Sequence, residues 1–110
     1  MRTQWTQVYK PQVIETLEKA GISPKSEVAK VILTFERRVN TLINMRDNGA
    51  GWESLCNSQA NMDANRCLSR LNDWGMSRTE VLKAEFGEQW TKYCEAKGIC
   101  PEANLGDWLS

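Results

Sequence analysis

The residues best suited by type to hold a metal or form cross-links are four cysteines, at positions 56, 67, 94 and 100. Their separations of 11, 27 and 6 residues lack the C-x-x-C pairs from which zinc knuckles and fingers are built, so no metal site is expected. Two disulfides would suit an exported protein, and three pairings are then open. In a reducing compartment the same residues act as small buried hydrophobes. Cys67 and Cys94 fall on apolar stripes and fit that role, whereas Cys56 and Cys100 lie near expected loops and are candidates for exposure.

The chain has 110 residues and no histidine. A Ser-His-Asp or Cys-His arrangement cannot be assembled within it, and the commonest general base near neutral pH is missing. Neither a glycine-rich phosphate loop nor an EF-hand carboxylate pattern is present, so no cofactor is expected and enzymatic activity is disfavoured. Fourteen Lys and Arg balance fourteen Asp and Glu. That balance removes a global attraction to nucleic acid or anionic lipid and leaves only local patches.

Binding chemistry is better represented. Five tryptophans exceed the one or two that a core of this size needs, and Trp5, Trp52 and Trp108 lie near the termini or in an irregular connection. Tryptophan covers a large area at small entropic cost and is enriched at interface hot spots. These three, with the adjacent pair Arg37 and Arg38, are the candidate partner-binding residues. The alternative is a helix-turn-helix over 67–86, where Gly75-Met76-Ser77 supplies the tight turn. Arg78, Thr79 and Lys83 would then sit at the start of a recognition helix, with Arg66 and Arg70 on phosphates. Against it, residues 56–110 carry six basic and eight acidic side chains, for −2, while residues 1–55 carry eight and six, for +2.

Helices must position all of these groups. Val28, Ile32, Phe35, Val39 and Leu42 recur at spacings of 4, 3, 4 and 3 and predict a long central helix over about 24–47, opened by Ser23-Pro24. Val31 and Ile43 widen its stripe. Arg37, Arg38, Arg46 and Lys30, with Glu36 and Glu27 beside them, read as a solvated face with ion pairs between neighbouring turns. Val13, Leu17 and Ala20 line a first helix opening near Lys10-Pro11. Ala64, Cys67, Leu68, Leu71 and Trp74 line a third, and Leu82, Phe86, Trp90 and Tyr93 a last one that Gly87 is expected to weaken, break or kink. Gly21, Gly49, Gly75 and Gly98 mark helix ends; at Gly21-Ile22, Gly75-Met76 and Gly98-Ile99 the next residue is apolar, as in a Schellman motif. Ser77-Arg78-Thr79-Glu80 is a capping box. The stretch 48–65 reads as irregular, with a short helix or packed loop around Trp52 and Leu55, and the tail 105–109 is expected to dock on the domain or on a partner.

The expected fold is therefore all-α, a compact four- to five-helix domain spanning 1–110. No segment approaches 18 apolar residues and the N-terminus has no apolar leader, so a cytoplasmic location without membrane contact is expected, or a mature form that has lost its signal. The favoured function is a non-enzymatic binding protein that occupies the surface of a protein partner, as a monomer or homodimer. Inhibitors and regulators carried as accessory proteins by mobile elements fit this size and composition. Nucleic-acid binding by a regulator is the alternative.

Overall fold

The computed structural model describes residues 4–71 and 80–109, with only the backbone over 80–86. Within them lie a π-helical turn, Trp5–Tyr9, and six α-helices: α1 (Lys10–Lys19), α2 (Glu27–Asp47), α3 (Trp52–Cys56), α4 (Gln59–Leu71), α5 (Glu80–Lys97) and α6 (Leu105–Leu109). No strand occurs among the described residues, so the fold is all-α. Nor is any helix among them long and apolar enough to cross a membrane.

The centre is α2, about 31 Å long at 1.5 Å per residue. Its stripe is buried throughout: Val28 at 2% exposure and Ile32, Phe35, Val39 and Leu42 at zero. The helix starts three residues later than the proline suggests. Pro24 and Lys25 form a turn closed by the Ser26 amide on the Ser23 carbonyl at 3.0 Å, and Ser26 then caps the helix by accepting from the Ala29 amide at 3.2 Å. Ser26 thus supplies the side-chain acceptor that the first turn needs, a role Ser23 cannot fill from outside the turn.

Chain reversals follow the glycines. At the end of α1 the Ile22 amide reaches the Leu17 carbonyl at 2.9 Å and the Gly21 amide reaches Glu18 at 3.0 Å, with Gly21 at φ 77°. Gly98 repeats this at φ 87°, with Ile99 bonded to Cys94, and so does Gly49 at φ 92°, with Ala50 bonded to Met45. A left-handed residue is what lets the chain turn back on the last helical carbonyls. Gly75 and the capping box at Ser77, with Trp74, lie outside the described residues.

Between α2 and α4 the irregular stretch is shorter than its composition implies. After the single turn of α3, Ser58 donates to the Leu55 carbonyl at 2.7 Å and accepts from the Asn61 amide at 3.2 Å, so α4 begins at Gln59. The packing of α4 on α2 buries Ala60, Ala64, Cys67, Leu68 and Leu71. Helix α5 runs through Gly87 without a break: glycine there costs helix propensity, and the turns that follow it are held by buried Trp90, Tyr93 and Cys94. Its Trp90, Tyr93 and Cys94 are buried; the side chains of Leu82 and Phe86 lie outside the described set. The tail closes the core as α6, where Asn104 accepts from the Asp107 amide at 3.0 Å while Asp107 accepts from the Asn104 amide at 3.3 Å. That reciprocal cap fixes Leu105, Trp108 and Leu109 inward. One buried cluster draws residues from every α-helix.

Candidate functional site

The predicted binding residues go to three different environments. Trp108 is in the core at 6% exposure. It meets Phe35 edge-on at 4.9 Å between ring centroids and stacks on Trp90 at 5.5 Å, so its surface is already covered within the chain. Trp5 is half-buried and lies against Tyr9 at 5.8 Å, bracing the π-turn. Trp52 is different: it opens α3 at 65% exposure, the most exposed large apolar side chain described.

Trp52 is followed by exposed Glu53 and preceded, at the end of α2, by exposed Asp47, while exposed basic groups lie further along α2 and α4. Helix α3 joins the end of α2 to the start of α4, which places Trp52 at the same end of that helix pair as Met62, itself 47% exposed. Met62, Arg66 and Arg70 follow one another at four-residue spacing and form one stripe of α4, with both arginines exposed. From α2, Arg37 is exposed and Arg38 holds Asp63 of α4 at 3.2 Å. Cys67 lies under this seam. Burial pushes its thiol above the usual range, the Arg70 and Arg38 charges oppose that, and Asp63 adds to it. The structure therefore brings Arg38 and Arg70 around one residue, although sequence assigned them to rival functions. Arg78 and Thr79 lie outside the described residues, as does the side chain of Lys83, so the helix-turn-helix turn is not placed.

The four cysteines are free thiols, Cys67 and Cys94 buried and Cys56 and Cys100 exposed. Among the described residues no group of three His, Cys, Asp or Glu side chains is arranged to hold a metal ion.

Glu36 requires a correction. Read as part of a solvated face, it is fully buried. One helical position from Phe35, it points to the side where α5 and the π-turn pack, and it is held there by three donors. Tyr93 donates to its Oε2 at 2.7 Å, Tyr9 donates to its Oε1 at 3.3 Å, and the Lys97 ammonium pairs with Oε2. Burial, and then the Glu36 charge, push both tyrosine hydroxyls far above their ordinary value; the same two causes push the Cys94 thiol up to about 12. The Lys97 ammonium also lies over the Trp108 ring at 4.8 Å and the Tyr9 ring at 5.4 Å. A cavity of about 340 Å³ opens beside this cluster, walled by Gln12, Val13, Thr16 and Ala96 together with Tyr9, Glu36 and Lys97. Arg46, another cation of the supposed face, donates to the Leu109 carbonyl, anchoring α6, and also pairs with Asp47 at 3.7 Å; Lys30, paired with Glu27 at 3.7 Å, is a plain surface ion pair.

Compared with protein-family models, curated proteins and solved structures, the chain matches none.

Proposed function

We propose that the chain is a non-enzymatic binding protein that occupies the surface of a protein partner through the α3 corner and the outer seam of α2 and α4. The observation that carries this reading is Trp52. Its chain-mates Trp90 and Trp108 complete the core, while Trp52 leaves two-thirds of its surface in water. An exposed tryptophan and Met62 at one end of a helix pair whose length carries exposed Arg37, Arg66 and Arg70 has an apolar anchor with basic groups beyond it, which suits a partner with an apolar pocket and acidic groups to one side. Its role would be that of an inhibitor or regulator, since it blocks or remodels a surface and brings no chemistry of its own.

The test is capture of partners from the native host with the wild-type chain, with Trp52→Ala and with Arg37→Glu. The expected result is one protein retained by the wild type and lost from both variants, at unchanged fold stability. Truncating a central tryptophan removes at least about 2 kcal/mol, roughly thirtyfold in affinity. A partner retained equally by all three chains rejects this surface. Retention of duplex DNA instead, weakening steeply with salt and with Arg66→Ala and Arg70→Ala, moves the assignment to nucleic acid.

A further inference from the structure

We propose that Glu36, Tyr9, Tyr93 and Trp108 form a binding site for a small alkylamine, and that Lys97 occupies it from within the chain when no amine is present. The site already holds an ammonium group. Lys97 Nζ lies 4.8 Å from the Trp108 ring centre and 5.4 Å from that of Tyr9, both within the range where a cation is drawn to an aromatic face, and it pairs with a carboxylate that has no access to solvent. Two ring faces and a buried carboxylate select a compact cation that carries an apolar stem. A hydrated metal ion, which would have to shed its water shell against apolar rings, matches this arrangement less well.

Two features separate this cluster from an ion pair that merely fastens the fold. The first is space. A structural pair is normally closed over by packing at near-crystalline density, whereas here a cavity of about 340 Å³ adjoins the charges, at the lower end of the range for small-molecule sites. Gln12 and Thr16 offer polar atoms on its wall and Val13 and Ala96 an apolar surface for a short chain. The second is the partial exposure of the occupant. Lys97 lies in the last turn of α5, its side chain retains 29% exposure, and its flexible stem can swing into water without moving backbone. An incoming amine therefore exchanges one cation for another, the charge on Glu36 stays balanced, and the body of the ligand enters the cavity. Because Lys97 is tethered, it competes at an effective concentration of order millimolar or above, so wild-type affinity is set by this internal competitor.

The experiment removes the competitor. Lys97→Ala is titrated with n-butylammonium chloride against sodium chloride of equal ionic strength, with the thermal midpoint and the indole proton resonances of Trp90 and Trp108 as readouts. The expected result is a saturable, amine-specific rise in midpoint with matching indole shifts, half-complete at a concentration at least tenfold lower than in the wild type. The double variant Glu36→Gln with Lys97→Ala, which leaves no buried charge, is expected to lose the response. Should Lys97→Ala be unfolded in sodium chloride, refolding in the amine salt alone is the expected result. No amine-specific effect in Lys97→Ala, or an effect in Lys97→Ala no stronger than that in the wild type or in the double variant, overturns the proposal.

Discussion

Two helices of five residues, α3 and α6, carry one tryptophan each and use it in opposite ways. Neither is long enough to be stable in water by itself, because nucleating a helix costs more than one turn of hydrogen bonds returns. Each exists through what it packs. In α6, Leu105, Trp108 and Leu109 are buried and Arg46 of α2 holds the last carbonyl. In α3 only Leu55 is buried, and the helix is fixed by the two ends it connects. The lesson is that Trp108 is part of the reason the chain folds, while most of the Trp52 ring is left in water.

The largest expected effect in this comparison is Trp108→Ala. It leaves a cavity between Phe35 and Trp90 and removes one wall of the ammonium cage, so about 3–5 kcal/mol of stability should be lost, read as a lower urea midpoint with unchanged slope. A loss under about 1 kcal/mol would place Trp108 on the same footing as Trp52.

Alkaline pH probes the same region. The Cys94 thiol and the Tyr9 and Tyr93 hydroxyls are all raised in the folded chain, Cys94 from 9.0 to about 12 and the tyrosines from 10.0 to well above it. The unfolded chain therefore releases these protons first. Their contribution is present in full below pH 9 and is lost as pH rises, by up to about 1.4 kcal/mol per unit for each group once its unfolded value is passed. Urea midpoints should be level from pH 6 to 8 and fall from pH 9 upward. Cys94→Ala should weaken the fall that begins near pH 9, the raised Cys67 thiol supplying the remainder, and Tyr93→Phe should flatten the slope above pH 10. Trp52→Ala should follow the wild-type curve.

Smaller again is Gly98→Ala, which forces a left-handed conformation on a residue with a side chain; nothing crowds the new Cβ, so the strain alone acts, about 1 kcal/mol. Gly49→Ala ahead of α3 should cost a similar amount, since the same conformation is imposed there. If the thermal midpoint falls much further for Gly98→Ala, the reversal into α6 is holding the core and not only turning the chain.

Legibility in the sequence followed distance along the chain. The stripe from Val28 to Leu42, the reversals at Gly21 and Gly98 and the burial of Cys67 and Cys94 are set by neighbours within one or two helical turns, and all were readable. Glu36 was not. Its partners Tyr9, Tyr93 and Lys97 are 27, 57 and 61 residues away, and a glutamate next to two arginines has the local pattern of a solvated face. The same limit hid the joining of Arg38 to Asp63 across two helices, whereas the Ser58 cap, whose partners are three residues away, was masked by the Asn- and Ser-rich composition around it. Leu105 and Leu109 marked the Trp108 tail for docking, but the sequence left open whether it docks on the domain or on a partner, and only the core decides that.

The smallest stability effect is the most informative for function. Trp52→Ala removes an exposed ring from the first position of α3, where alanine is at least as good a helix former, so the fold should change by no more than about 0.5 kcal/mol in urea or thermal unfolding. Trp52 and Trp108 would then differ by several kcal/mol in what they contribute to the isolated chain. A residue that exposes a large indole surface and adds nothing to folding supports the assignment of the α3 corner to a partner. If instead Trp52→Ala lowers stability by 2 kcal/mol or more, Trp52 belongs with Trp108 as a folding residue, and the binding surface has to rest on Arg37, Arg66 and Arg70 alone.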